Sequence, residues 1–330
     1  MTTEAGVSGL LYRPRFGIGD AVFWLIALAV SVAFAGQLAF ATAIVIAMIF
    51  AMSLNLVLGY AGIITLGHGL HFGIGAYVAA FLAVAGFREP VSVVFVAGLV
   101  SALVAVPLGW LIVRLSGLPL IMVTLSLAAL GYEAANKATW LTHGDDGMQG
   151  FTFVPILGIF HQSISGPQSY LFALAWLFAL FLIMRMVVTS PFGVALVGIR
   201  ENRARMLLIG TPVVRHLIVA YALGGFVAGV AGALTTETTQ FVGLDSLSID
   251  RSIDVLLMTV LGGVGTLYGP LLGATAYELV HHIAAEWNPY HWMFAIGILL
   301  IVVVRFARGG IVGLGTSLRG RLAMRARRDA

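Results

Sequence analysis

The chain contains no cysteine, so disulfides, thiolate metal sites and thiol nucleophiles are excluded. Charge is also scarce. Asp, Glu, Lys and Arg make up only 10% of the 330 residues, where a soluble domain carries about a quarter. No G-x-x-x-x-G-K-[ST] loop occurs, so a phosphate cradle of that kind is missing and any ATP-driven work needs a partner. Ser-His-Asp, zincin and thiol patterns are likewise missing, and Asp145-Asp146 alone are too little for catalysis. An enzyme is not expected, and no cofactor or metal is called for.

What is present is apolar. Hydrophobic residues make up 60% of the sequence and the mean hydropathy is +1.02. No soluble fold of this length can hide that much apolar surface, so the lipid bilayer must be the solvent for most of it. The 40 glycines fit this setting, because small residues let membrane helices approach closely. The net charge of +4 resembles a nucleic-acid signal until its placement is considered. It clusters at segment ends, which is a topology signal, and no nucleic-acid partner is expected. The start is polar, carries Arg13 and Arg15 and is followed by an apolar run without an A-x-A cleavage site. That run reads as a retained helix.

Apolar segments fall at 20–36, 38–58, 62–86, 91–113, 118–139, 168–189, 217–239, 252–284 and 290–308, where a span needs roughly 20 residues. Stretches 141–169 and 240–250 contain no Lys or Arg. Residues 190–216 hold Arg200, Arg203, Arg205 and Arg215, and the tail holds Arg319, Arg321, Arg325, Arg327 and Arg328. The positive-inside rule therefore makes 1–19, 190–216 and the basic tail 309–330 cytoplasmic, with both termini inside. Parity then requires 252–284 to begin and end outside. A glycine-rich break at 262–270, GGVGTLYGP, would let it do so as a hairpin. The expected fold is all-α: one polytopic transmembrane helical bundle over 1–330, with about nine or ten helical segments and glycine-broken helices.

Three motifs stand out. The first runs from Leu54 to Tyr77 and includes Asn55, Gly59, Gly62, Thr65, Gly67, His68, His71, Gly73 and Gly75. Its glycines thin the side-chain layer, and irregular backbone at membrane depth must face protein or a wet cavity. It is either part of a translocation path or a tight helix crossing. The second is RENRARMLLIG at 200–210, comprising Arg200, Glu201, Asn202, Arg203, Ala204, Arg205 and a closing Gly210. It reads as a short charged helix with a glycine C-cap, either a docking surface or an anchor on lipid headgroups. The third opens with Asp250 and Asp254, acids suited to a helix N-terminus. It continues through Gly262, Gly263, Gly265, Gly269 and Pro270, whose free amides could cradle a carboxylate. At an offset of 200, Leu56, Gly62, Gly69, Gly73, Ala76 and Tyr77 recur as Leu256, Gly262, Gly269, Gly273, Ala276 and Tyr277.

In this order, over roughly residues 40–310, the three motifs resemble the branched-chain amino acid ABC transporter permease family, LivM type. The resemblance implies an importer permease of a bacterial inner membrane, without ATPase activity of its own. It would work with a second permease subunit, two ATPase subunits on the cytoplasmic face and a periplasmic substrate-binding protein. The 200–210 loop would dock the ATPase. Arg205 and Met206 stand where family members usually carry small alanines. Similar relatives are associated with urea, amides and aromatic acids, so the resemblance does not fix the substrate. An ion- or proton-coupled secondary transporter is the alternative, but no convincing mid-span carboxylate or Arg is found for it.

The remaining charges are less telling. Glu133 and Lys137 have the spacing of a helical ion pair. Glu237 and Glu278 are flanked by apolar sequence near outer ends that water can reach, and both read as structural. His281-His282 lacks a carboxylate at metal-site spacing, which argues against a metal. The arginine-rich tail follows the last span, where anionic headgroups suit it.

Overall fold

The computed structural model describes residues 18–33, 35–154, 166–287, 310–313 and the positions 294, 297, 298 and 301. Arg13, Arg15, nearly all of the expected span 290–308 and the tail arginines lie outside these residues.

The chain is a multi-pass helical membrane bundle, as expected. Helix α1 (Ile18–Ala33) is followed by α2 (Leu38–Leu54), which continues as a π-helical turn through Asn55–Tyr60. After an irregular stretch, α3 spans His68–Val84. Glu89 opens α4 (Pro90–Ile112) by accepting a hydrogen bond from the Ser92 amide at 2.7 Å, and Pro90 occupies a position where no amide is needed. Helices α5 (Leu118–Lys137) and α6 (Pro167–Thr189) follow, each with an early proline. The 190–216 region forms α7 (Pro191–Glu201) and α8 (Arg203–Leu208), and α9 spans Val213–Thr239. Helix α10 (Ile249–Gly262) and helix α11 (Gly269–Trp287) complete the described bundle.

Among the described residues, five helices are long and apolar enough to cross a membrane: α2 with its π turn, α4, α5, α6 and α9. The expected segment 252–284 is indeed two helices broken over 263–268. Helix α10 has 14 residues. At 1.5 Å per residue it rises about 21 Å, short of a ~30 Å hydrocarbon core. The two Lys- and Arg-free stretches meet at one end of the bundle. There Met148 and Gln149 pair antiparallel with Val242 and Phe241.

Helix α9 runs through the centre. Its Gly225 and Gly229 let Ser101 and Ala105 of α4 pack closely, and Gly229 also meets Gly75 of α3. Gly232 lies directly against the backbone of α3 at Phe72. One turn on, the Thr236 hydroxyl donates to the Ala76 carbonyl at 3.1 Å. With little hydrophobic force between helices in lipid, such small-residue crossings and interhelical hydrogen bonds hold the core together. Helices α2 and α10 run side by side in the same direction, and Thr259 donates to the Ala51 carbonyl at 3.3 Å.

The weak repeat has a structural counterpart. In both copies a helix ends close to a glycine, Gly62 or Gly262. An irregular stretch follows, and a new helix starts at His68 or Gly269. Tyr77 and Tyr277 then lie buried at matching places in α3 and α11.

Candidate functional site

The two helix breaks meet at one end of the bundle, and polar side chains tie them together. Asn55, in the π turn, is 2% exposed. Its amide donates to the Thr266 carbonyl at 2.9 Å, and its oxygen accepts from the Gly265 amide at 2.8 Å. One buried side chain thus satisfies both a donor and an acceptor of the second break. Gly59 lies against Gly265 so closely that a Cβ there would sit 2.5 Å from the Gly265 nitrogen. Gly62, Gly263 and Gly265 have φ of +74°, +119° and +78°, which favour glycine. Gly262 packs on Gly269 and Gly273, closing the α10–α11 crossing, and Pro270 is buried at the start of α11.

Arg200 reaches the same junction from α7. Its guanidinium donates to the Gly59 carbonyl and, at 2.8 Å, to Glu201. Its aliphatic stem fills the space where Gly62 lacks a side chain, and Nη1 would lie 2.9 Å from a Cβ on Gly265. A cavity of about 190 Å³ opens beside it, lined by Gly62, Ile63, Ser116, Arg200 and Arg203 among others.

The 200–210 motif is not one helix. Asn202 is extended (φ −156°, ψ 94°) and ends α7. Its side chain then accepts from the Arg205 amide at 2.9 Å and starts α8. The capping residue therefore divides the expected helix in two. Gly210 closes α8 at φ +84°, its amide bonded to the Leu207 carbonyl at 3.0 Å. Ala204 and Arg205 are exposed, and Leu207, Leu208 and Ile209 are exposed to 55, 89 and 69%. Exposed apolar residues next to arginines are the makings of a contact surface.

The other residues of the first motif are packed inside. Thr65 is 1% exposed and accepts from the Gly67 amide at 3.1 Å. Gly67 abuts the Thr124 backbone, Gly73 abuts Leu247 and Gly75 abuts Gly229. His68 and His71 are fully buried. His68 Nε2 meets the Ser53 hydroxyl at 2.8 Å, while neither ring nitrogen of His71 has a hydrogen-bond partner among the described residues.

A larger cavity, of about 280 Å³, lies toward the opposite end of the bundle, between α2, α9, α10 and α11. Arg251, Asp254 and Glu278 line it, with Thr42, Thr235 and Thr238 and the apolar Ile46, Phe50, Phe72 and Met258. Asp254 sits a turn deeper than a helix-opening acid should, and Tyr277 donates to it at 2.5 Å. Glu278 faces this cavity, whereas Glu237 is only 2% exposed and is not reached by water as its position suggested. The polar run at 235–239, at the end of a predicted span, is the sequence signal that could have revealed the site. One further expectation fails. Glu133 and Lys137 do not meet as an ion pair, the helix ending at Lys137 with Ala138 at ψ 47°. His282 meets Glu286 at 3.4 Å one turn on, a pair and not a group of three metal-ligating side chains, of which none forms among the described residues.

Glycine-broken helices beside a cavity of mixed polar and apolar lining are a form that many membrane transporters take. A family model described as branched-chain amino acid transport system / permease component matches residues 36–304, and the chain belongs to that family of transport subunits, which are not enzymes. The high-affinity branched-chain amino acid transport system permease protein LivM of Salmonella typhimurium strain LT2 is 27% identical over 82% of this chain and 68% of its own. LivM of Escherichia coli K12 is 26% identical over the same shares. The L-arabinose ABC transporter permease protein AraH of Azospirillum brasilense is 29% identical over 35% of this chain and 36% of its own. No solved structure matches the chain.

Proposed function

We propose that the chain is a permease subunit of an ATP-binding cassette importer for branched-chain amino acids or a related small polar or amphipathic solute. It forms the translocation path in a bacterial inner membrane, with both termini cytoplasmic. A second permease, two cytoplasmic ATPase subunits and a periplasmic substrate-binding protein complete the complex. The observation that carries this reading is Arg200. It belongs to the exposed α7–α8 loop, yet its guanidinium holds the carbonyl of Gly59 next to Gly265, where the two broken helices meet. A protein docked on Glu201, Ala204, Arg205 and the apolar tip of α8 thereby has a mechanical connection to the breaks. The glycines of 59–75 and 262–269 let the broken helices shift as the ATPases close and part.

Purification from native membranes in mild detergent tests the assembly. An ATPase pair and a second permease should accompany the chain. A chain that emerges alone, and transports in liposomes without ATP, would establish a secondary transporter instead. Within the complex, Glu201→Lys should uncouple ATP hydrolysis from transport while the protein still reaches the membrane. The Glu201 side chain is 68% exposed, so the reversal changes the docking surface, and it also removes the carboxylate that pairs with Arg200 at 2.8 Å. Normal transport by this variant would remove the loop from the mechanism.

A further inference from the structure

We infer that the cavity between α2, α9, α10 and α11 is a transit binding site for a zwitterionic α-amino acid with an apolar side chain. The inference rests on the amino acid importer reading above and assigns the residues that would hold the cargo inside the permease.

The volume, about 280 Å³, lies just below the ~300–1,000 Å³ range of small-molecule pockets, so it suits a single small solute. Its lining is divided by chemistry. Arg251 offers a planar fork that matches a carboxylate. It stands in the first turn of α10, whose N-terminal end favours negative charge. Asp254 and Glu278 offer acceptors for an ammonium group. The Tyr277 hydroxyl occupies one oxygen of Asp254 and fixes its orientation. Ile46, Phe50, Phe72 and Met258 supply an apolar wall for an aliphatic side chain.

No simpler ligand meets all three features. A neutral amide carries no charge to match either the fork of Arg251 or the carboxyl groups of Asp254 and Glu278. A simple amine satisfies the acids but not Arg251, and a simple carboxylate does the reverse. Arg251 pairs with Asp245 at 2.8 Å. The two side chains are 42 and 73% exposed, and exposed pairs of this kind contribute roughly 0–1 kcal/mol. An arriving carboxylate can therefore exchange with Asp245 at little cost, which suits a site that must also release its cargo.

The test uses the full-length chain in detergent micelles and follows its thermal unfolding. The probes, at millimolar concentration, are L-leucine, 3-methylbutylamine (leucine without its carboxylate) and 4-methylpentanoate (leucine without its ammonium). Leucine should raise the midpoint and the two half-molecules should not. Arg251→Gln and Glu278→Gln should each abolish the leucine shift while keeping their own cooperative transition. If Arg251→Gln does not fold, Arg251→Lys keeps the charge, loses the fork and should show a reduced shift. A leucine shift that survives in both variants would place the amino acid elsewhere, overturning this site but not the importer reading. An amine as effective as leucine would overturn the zwitterion assignment, and so would the lack of any leucine shift in the wild type. Failure of the importer reading would register separately, as lack of co-purifying ATPases.

Discussion

Gly232→Val should leave almost no folded protein in the membrane, while Gly36→Ala should accumulate to the wild-type level. A Cβ on Gly232 would overlap the Phe72 carbonyl and lie 2.9 Å from the Ala76 nitrogen. Both obstacles are backbone atoms of α3, so no rotamer change can relieve them. Overpacking costs about 1–3 kcal/mol where side chains can rearrange, and occasionally more. Here the α3–α9 crossing itself must open, straining the Thr236 bond to Ala76 at the same time. Against a total stability of roughly 5–15 kcal/mol, a single valine is a large fraction. A Cβ on Gly36, by contrast, meets nothing within 4 Å. The amount of monodisperse protein after detergent extraction decides the matter. A Gly232→Val variant extracted at wild-type yield would show that the crossing is looser than this geometry requires.

That crossing also marks the boundary of what the sequence reveals. The segments were legible from apolar run length, and the break in 252–284 from charge parity together with its run of glycines. Run length and glycine content are local properties, and charge parity needs only the order of segments along the chain. The importance of Gly225, Gly229 and Gly232 was not legible, although their spacing carries the small-residue signal, because what they admit is the backbone of another helix. Asn55 was singled out for its place in a glycine-rich motif, but its partners, Gly265 and Thr266, stand more than 200 residues away. Asn202 was read as part of a continuous helix because its neighbours are helix formers. Its side chain instead competes for the backbone and starts a second helix. Asp254 and Glu278 looked like a helix-opening acid and a water-reached end charge when considered one at a time. Only the antiparallel packing of α10 on α11 brings them, with Arg251, to one cavity.

Arg200→Gln should lower transport by about tenfold to a hundredfold without lowering the amount of folded complex or its ATPase content. The substitution removes the donors that hold the Gly59 carbonyl. It also empties part of the space beside Gly62 that the arginine stem fills. A hydrogen bond from a charged group contributes roughly 1.5–3 kcal/mol, and each 1.4 kcal/mol is about a factor of ten. A contact can shift a conformational equilibrium only by the difference it makes between the two states. The expected loss is therefore greatest if the Arg200 contact forms in one transport state and breaks in the other. Arg200→Lys retains a charge that can reach one carbonyl but lacks the fork that serves Gly59 and Glu201 together, so it should fall between wild type and Gln. Glu201→Lys and Arg200→Gln overlap at the Arg200–Glu201 ion pair but differ in what else they touch. Glu201→Lys alters the docking surface and the ion pair with Arg200 together, whereas Arg200→Gln leaves the Glu201 carboxylate on the surface and removes the contact with the breaks inside the permease. With Arg200→Gln, ATPase subunits should still co-purify and hydrolyse ATP while proteoliposome uptake falls. Uptake at the wild-type rate would mean that motion of the loop reaches the broken helices by another route.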